Sequence, residues 1–136
     1  MKDYFINPRC FGDDCARWLI DRLFSQGVGN LDSQPSQEDW GWRFNIAVGR
    51  QCFMVGVGLY EAEASPNTWL VFIESQLGWL SGKLSGKSDE TDLSTICKTI
   101  DRALKSASEI SDVRWHAKED WLKGKDRNWR SDPDEI

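Results

Sequence analysis

The sequence predicts an α+β domain of two layers, an antiparallel β-meander with two helices packed on one face. Three observations predict it: an apolar period of three and four residues near the start and again after residue 93, a period of two through the middle, and turn residues between these segments. A chain of 136 residues is near the usual domain size and can bury roughly 70% of its unfolded-chain surface. Residues 1–136 therefore read as one domain, with a flexible tail from about residue 126.

The first element is a helix over about 14–26. Ala16, Leu19, Ile20, Leu23 and Phe24 fall on one stripe while Arg17, Asp21, Arg22 and Ser25 lie off it. Asp13 can cap its start, Gly27 can end it in the left-handed conformation, and Trp18 sits on the flank of the stripe. Residues 28–37 are mostly Gly, Asn, Asp, Ser, Gln and Pro and read as a loop.

At residue 40 the period changes to two. Trp40, Trp42, Phe44, Ile46 and Val48 alternate with smaller or polar residues, as in a strand with one buried face. Gly49-Arg50 suits a tight hairpin with glycine at its first central position. The returning strand, about 51–61, puts Phe53, Val55, Val57 and Leu59 on one face and Met54, Gly56, Gly58 and Tyr60 on the other. Two glycines on one face indicate a bulge, strong curvature, or close approach by another backbone or a partner. Ser65-Pro66-Asn67 is a turn. Residues 68–75 form a third strand, apolar on both faces and hence central.

Residues 76–89 read as a short strand or ordered loop over the core, with a flexible 83–88 tip. A second helix spans about 93–108, capped by Thr91 or Asp92, with Leu93, Ile96, Cys97, Ile100, Leu104 and Ala107 as its stripe. Val113, Trp115 and Ala117 mark a final short strand. The expected core includes Leu23, Phe44, Val57, Val71, Ile100 and Leu104, and Leu104→Ala is expected to cost about 2–5 kcal/mol.

Composition narrows the function. The net charge is −5, which opposes nonspecific phosphate binding, so nucleic acid is not an expected partner. The first residues lack the apolar length of a signal peptide and no apolar run reaches membrane-spanning length, so a cytoplasmic protein without a membrane partner is expected. Cys10, Cys15, Cys52 and Cys97 have no zinc-ligand spacing and His116 is the only histidine. Reduced thiols, no metal and no cofactor follow as expectations, although Cys10 and Cys15 are near enough in sequence to pair under oxidation. Nothing in the sequence sets a nucleophile beside His116, and Gly56-Val57-Gly58 lacks the remaining glycine of a phosphate cradle. The expectation is a protein that performs no catalysis.

Eight tryptophans are more than a domain of this size needs for its core, and those near water would form a recognition surface. Acids gather near them, as Glu38-Asp39 and as Glu61 with Glu63. The string Glu38-Asp39-Trp40-Gly41-Trp42-Arg43-Phe44 resembles the first strand of several small bacterial immunity proteins, which neutralise toxins of contact-dependent or polymorphic secretion systems. That resemblance implies a stoichiometric inhibitor whose partner is a cognate toxin domain, with no chemistry of its own.

Period two puts Trp42 in the core, which leaves Trp79, Trp121, Trp129 and the polar face around Arg43, Tyr60 and Glu74 as exposed candidates. The residues expected to bind a partner are Glu38, Asp39, Trp40, Arg43, Tyr60, Glu61, Glu63, Glu74 and Trp79. The acids would steer a basic toxin domain and the aromatics anchor it. A second reading uses the same tryptophans and carboxylates in a small-ligand or carbohydrate-binding domain, with hydrolase activity as its extension. A third is a subunit that forms homo-oligomers.

Overall fold

A computed structural model describes residues 13–49, 51–62, 65–75, 88–125 and 127–135; for 59–62, 65–67 and 88–90 it describes the backbone alone. The fold is α+β, and the chain divides into two compact units, Met1–Gly86 and Lys87–Ile136. Cys10, Arg50, Glu63 and Trp79, and the 76–87 segment, lie outside the described residues.

In the first unit, helix α1 (Asp13–Ser25) is followed by strands β1 (Ser36–Glu38), β2 (Gly41–Val48), β3 (Gln51–Ala62) and β4 (Ser65–Ser75). Ala16, Leu19, Ile20 and Leu23 are buried on α1, as the helical period requires, whereas Phe24 is exposed. Trp18 is a flank residue, with the Arg22 guanidinium 5.3 Å from its ring centroid. Asp13 is the first helical residue and is buried. The helix ends as expected at Gly27, with φ 89°; the Val28 N–H donates to the Leu23 carbonyl at 3.0 Å and the Gly27 N–H to Phe24 at 3.0 Å.

The four strands form an antiparallel sheet in the order β1-β2-β3-β4. The end of the segment read as a loop is in fact an edge strand: Ser36, Gln37 and Glu38 pair with Arg43, Trp42 and Gly41. Three polar residues carry no hydrophobic period, so only the pairing reveals the strand. Upstream, the Asp32 N–H donates to the Asn45 carbonyl at 3.0 Å, and the Asn45 N–H to Asp32 Oδ2 at 2.9 Å, which satisfies more of the β2 edge. The β4 strand begins at Ser65, where a turn was expected.

Trp42, Phe44 and Ile46 of β2 and Phe53, Val55 and Val57 of β3 are buried and share the inner face. Ala16 of α1 meets Trp42 and Val57 there, with Cys15 and Val71 packed against them. Val71 is half-buried rather than fully enclosed. The bulge lies between Tyr60 and Ala62, and the two glycines upstream of it pair in regular register.

The second unit holds helix α2 (Ser88–Lys105), strand β5 (Trp115–His116), helix α3 (Lys118–Leu122), strand β6 (Trp129–Arg130) and a 3-10 turn, Pro133–Glu135. Thr91 and Asp92 lie inside α2, not at its cap; the Thr91 carbonyl accepts from Thr95 Oγ1 at 2.9 Å. Ile96, Ile100 and Ala103 form the buried stripe, and Ala107 is buried just beyond the helix end. Leu104 is half-buried on its flank and Leu93 is exposed, so the stripe is centred one residue earlier than the apolar pattern implies.

Strands β5 and β6 make a separate antiparallel pair, Trp115 with Arg130 and His116 with Trp129. Trp115 Nε1 donates to Asp101 Oδ1 of α2 at 2.8 Å. The Arg114 guanidinium lies 4.6 Å from the Trp129 ring centroid, and His116 meets Trp121 edge-on at 5.0 Å. The tail read as flexible beyond residue 126 thus carries a strand and a turn, and it is tied to α2 by a 2.8 Å ion pair between Asp134 and Lys98.

Candidate functional site

The inner face of the sheet is filled, so the alternation of β-strands sends the complementary set to the outer face. Register aligns that set in rows. Arg43, Gly56 and Phe72 lie side by side across three strands, and Asn45, Met54 and Glu74 form the next row. Gly58 and Leu70 make a third.

The glycines shape this face. A Cβ on Gly56 would overlap the Phe72 ring, and one on Gly58 would stand 3.2 Å from the Trp40 carbonyl oxygen. The missing side chains therefore open a trough into which the Phe72 ring settles and along which the Trp40 backbone passes. Of the three meanings read into these glycines, close approach holds, and the bulge lies further along the strand. Gly41 has a related role, since a Cβ there would collide with the Val57 carbonyl. The β1–β2 turn can sit that low only with glycine after Trp40.

Trp40 occupies this turn instead of the strand. It consequently escapes the inner alternation it was expected to share with Trp42: Trp42 is 2% exposed and Trp40 46%. The Trp40 ring stacks on Phe72, with centroids 4.7 Å apart and planes tilted by 57°. Such a tilted pair places the positive ring edge of one aromatic near the negative face of the other. Trp40 stays open to water, and Phe72 is half-buried.

Around the stack, Arg43 Nε bonds Glu38 Oε1 at 2.8 Å and Arg43 Nη1 approaches Met54 Sδ at 3.7 Å. Glu38 is thus committed to its neighbour across β1 and β2. Asp39 is exposed in the turn, and Glu74 is half-buried at the end of β4. Of the residues expected to bind a partner, Glu38, Asp39, Trp40, Arg43 and Glu74 come together on this face or its rim. Tyr60 and Glu61 belong to the β3 backbone near the bulge, and their side chains lie outside the described part, as do Glu63 and Trp79.

Phe72 and Met54 were absent from the expected set. The signal was present in the two-faced apolarity of β4 and in the glycine pair of β3, but only the register sets Phe72 opposite Gly56. Trp69 is also exposed, as is Trp129 in the second unit, whereas Trp121 is half-buried.

The face offers an aromatic platform, a thioether and an ion pair, groups that contact apolar or cationic surface. Cys15, Cys52 and Cys97 are free thiols, and burial pushes Cys15 and Cys97 up to about 11, so both remain protonated rather than nucleophilic. Among the described residues no group of three or more His, Cys, Asp or Glu side chains could hold a metal ion, and no helix is long and apolar enough to cross a membrane. Comparison with protein-family models, curated proteins and solved structures returns no match.

Proposed function

We propose that the protein is a cytoplasmic, stoichiometric binding module of the immunity-protein kind, which holds a cognate toxin domain against the outer face of its sheet. The observation that carries this reading is the Trp40–Phe72 stack. A half-exposed tryptophan stacks on a second aromatic whose ring lies over Gly56, and the exposed Asp39 precedes it in the turn. Ordering such a ring has already been done by the fold, so a partner that covers it loses little further entropy on binding. A cation presented by the partner could rest on the open Trp40 face, with Asp39 and Glu74 supplying the opposite charge.

The test is affinity capture from source-cell lysate with the wild-type protein and Trp40→Ala, followed by rate measurements on the recovered complex. One protein should be recovered in equimolar amount, and Trp40→Ala should raise its dissociation rate at least about tenfold, as loss of a central anchor does. Asp39→Asn should instead lower the association rate and its salt dependence. Recovery of no protein, together with saturable sugar binding that quenches tryptophan fluorescence in the wild type but not in Trp40→Ala, would replace this reading with the carbohydrate-binding one.

A further inference from the structure

Helix α2 keeps a second, chemically opposite surface on the side away from its buried stripe. Lys98, Arg102 and Lys105 recur at four and three residues, so they stand in one row on that side, with Ser94 one turn before them. The segment after β6 lies along this row. Asp134 Oδ2 pairs with Lys98 Nζ at 2.8 Å, and Asp134 Oδ1 accepts from Ser94 Oγ at 3.1 Å. Lys105 Nζ donates to the Ser131 carbonyl at 2.6 Å and pairs with Asp101 of its own helix at 2.9 Å. Asp132 is close enough to Lys98 to raise it electrostatically, and its Oδ1 accepts from the Asp134 N–H at 2.9 Å.

The fit is incomplete. One carboxylate of the segment makes an ion pair with the row, Lys105 receives from the segment only a carbonyl, and among the described residues Arg102 has no ion-pair partner. The contacts are also wet: the Lys98 and Asp134 side chains are 52% and 45% exposed. Water-exposed pairs of this kind hold a segment weakly and exchange readily. The hydrogen bond between them still raises the lysine and holds the Asp134 carboxyl below its ordinary range.

We propose that the Lys98–Arg102–Lys105 row is a receptor face for an acidic segment of a protein partner, and that residues 131–135 occupy it as a replaceable stand-in. A segment with carboxylates spaced to meet all three cations would satisfy Arg102 and displace the stand-in. The occupant already on the row is a peptide carboxylate, Asp134, held by Lys98 and Ser94, which favours an acidic peptide over a polyphosphate chain. This surface is independent of the Trp40 face, and its failure would leave that reading untouched.

The experiment uses full-length protein and a fluorescein-labelled hexaglutamate peptide, read by polarisation at low salt. Asp134→Asn should bind the peptide at least about fivefold more tightly than the wild type, because the competing carboxylate is gone. Glu135→Gln changes net charge equally without touching Lys98 and should alter affinity less than about twofold. Adding Arg102→Glu to Asp134→Asn should abolish the gain. Circular dichroism confirms that each surface variant is folded. Equal affinities for Asp134→Asn and Glu135→Gln, survival of the gain with Arg102→Glu, or tighter binding of a labelled oligothymidylate than of the peptide would overturn the proposal.

Discussion

At Gly56 the absence of a side chain decides the character of a whole surface. Gly27, by comparison, has nothing within 4 Å of its would-be Cβ and is constrained by its φ of 89° alone. Gly56→Ala should drive the Phe72 ring out of its trough, separate it from Trp40 and destabilise the protein by about 1–3 kcal/mol, the usual cost of overpacking. Near-ultraviolet circular dichroism and a denaturant titration would check both effects. A smaller side chain in Phe72→Leu should recover part of the stability of Gly56→Ala but none of the aromatic signal, a coupling that a double-mutant cycle measures. Full native stability and spectrum in Gly56→Ala would show that Phe72 does not rest there. The sequence made Trp42 legible as core because period two is strict from 42 to 46. The same arithmetic runs Trp40, a residue expected to bind a partner, into the strand, because the pattern continues through a turn where alternation no longer dictates the face.

Elements with a strong period were readable and polar elements were not. Helix α1 and strands β2 to β4 follow from their apolar spacing, but β1 consists of Ser36, Gln37 and Glu38 and exists only because β2 offers an edge. Strand β5 falls on the short strand marked by Val113, Trp115 and Ala117, whereas β6 is hidden, since pairing joins it to β5 across 12 intervening residues. Within α2 the period identified a helix while slightly misplacing its buried line. Ile100 is fully enclosed, whereas Leu104 is only half-buried. Ile100→Ala should therefore cost about 2–5 kcal/mol and Leu104→Ala less, because a partly exposed site leaves a smaller cavity and loses less transfer free energy. Their urea midpoints should differ in that order. The reverse order would mean that the helix is rotated about its axis.

For the whole molecule, charge is legible from composition and its distribution is not. Of the acids read as a steering group, Glu38 is neutralised by Arg43, and elsewhere Asp134 pairs with Lys98 and Asp112 with Arg114. What remains still gives a net charge of −5 and an isoelectric point near 4.9. Light scattering against pH should consequently show a maximum, and solubility a minimum, near pH 4.9, where the net repulsion between copies vanishes. A flat scattering profile through that pH would mean that local charge patches, rather than the net charge, govern self-association.

Strand order has a kinetic meaning as well. In a sheet ordered β1-β2-β3-β4, each strand finds its partner in the segment next to it along the chain, and β2 ends at Val48 while β3 begins at Gln51. Few long loops have to close before hydrogen bonds and packing repay the lost entropy, so the contact order of this unit is low for a β-rich structure. Hairpins of this kind form in about 1–10 μs. The β2–β3 hairpin brings Trp42 against Val57 before any distant segment is required, which makes it a natural nucleus and gives the exposed sheet edges little time to meet those of another chain during synthesis.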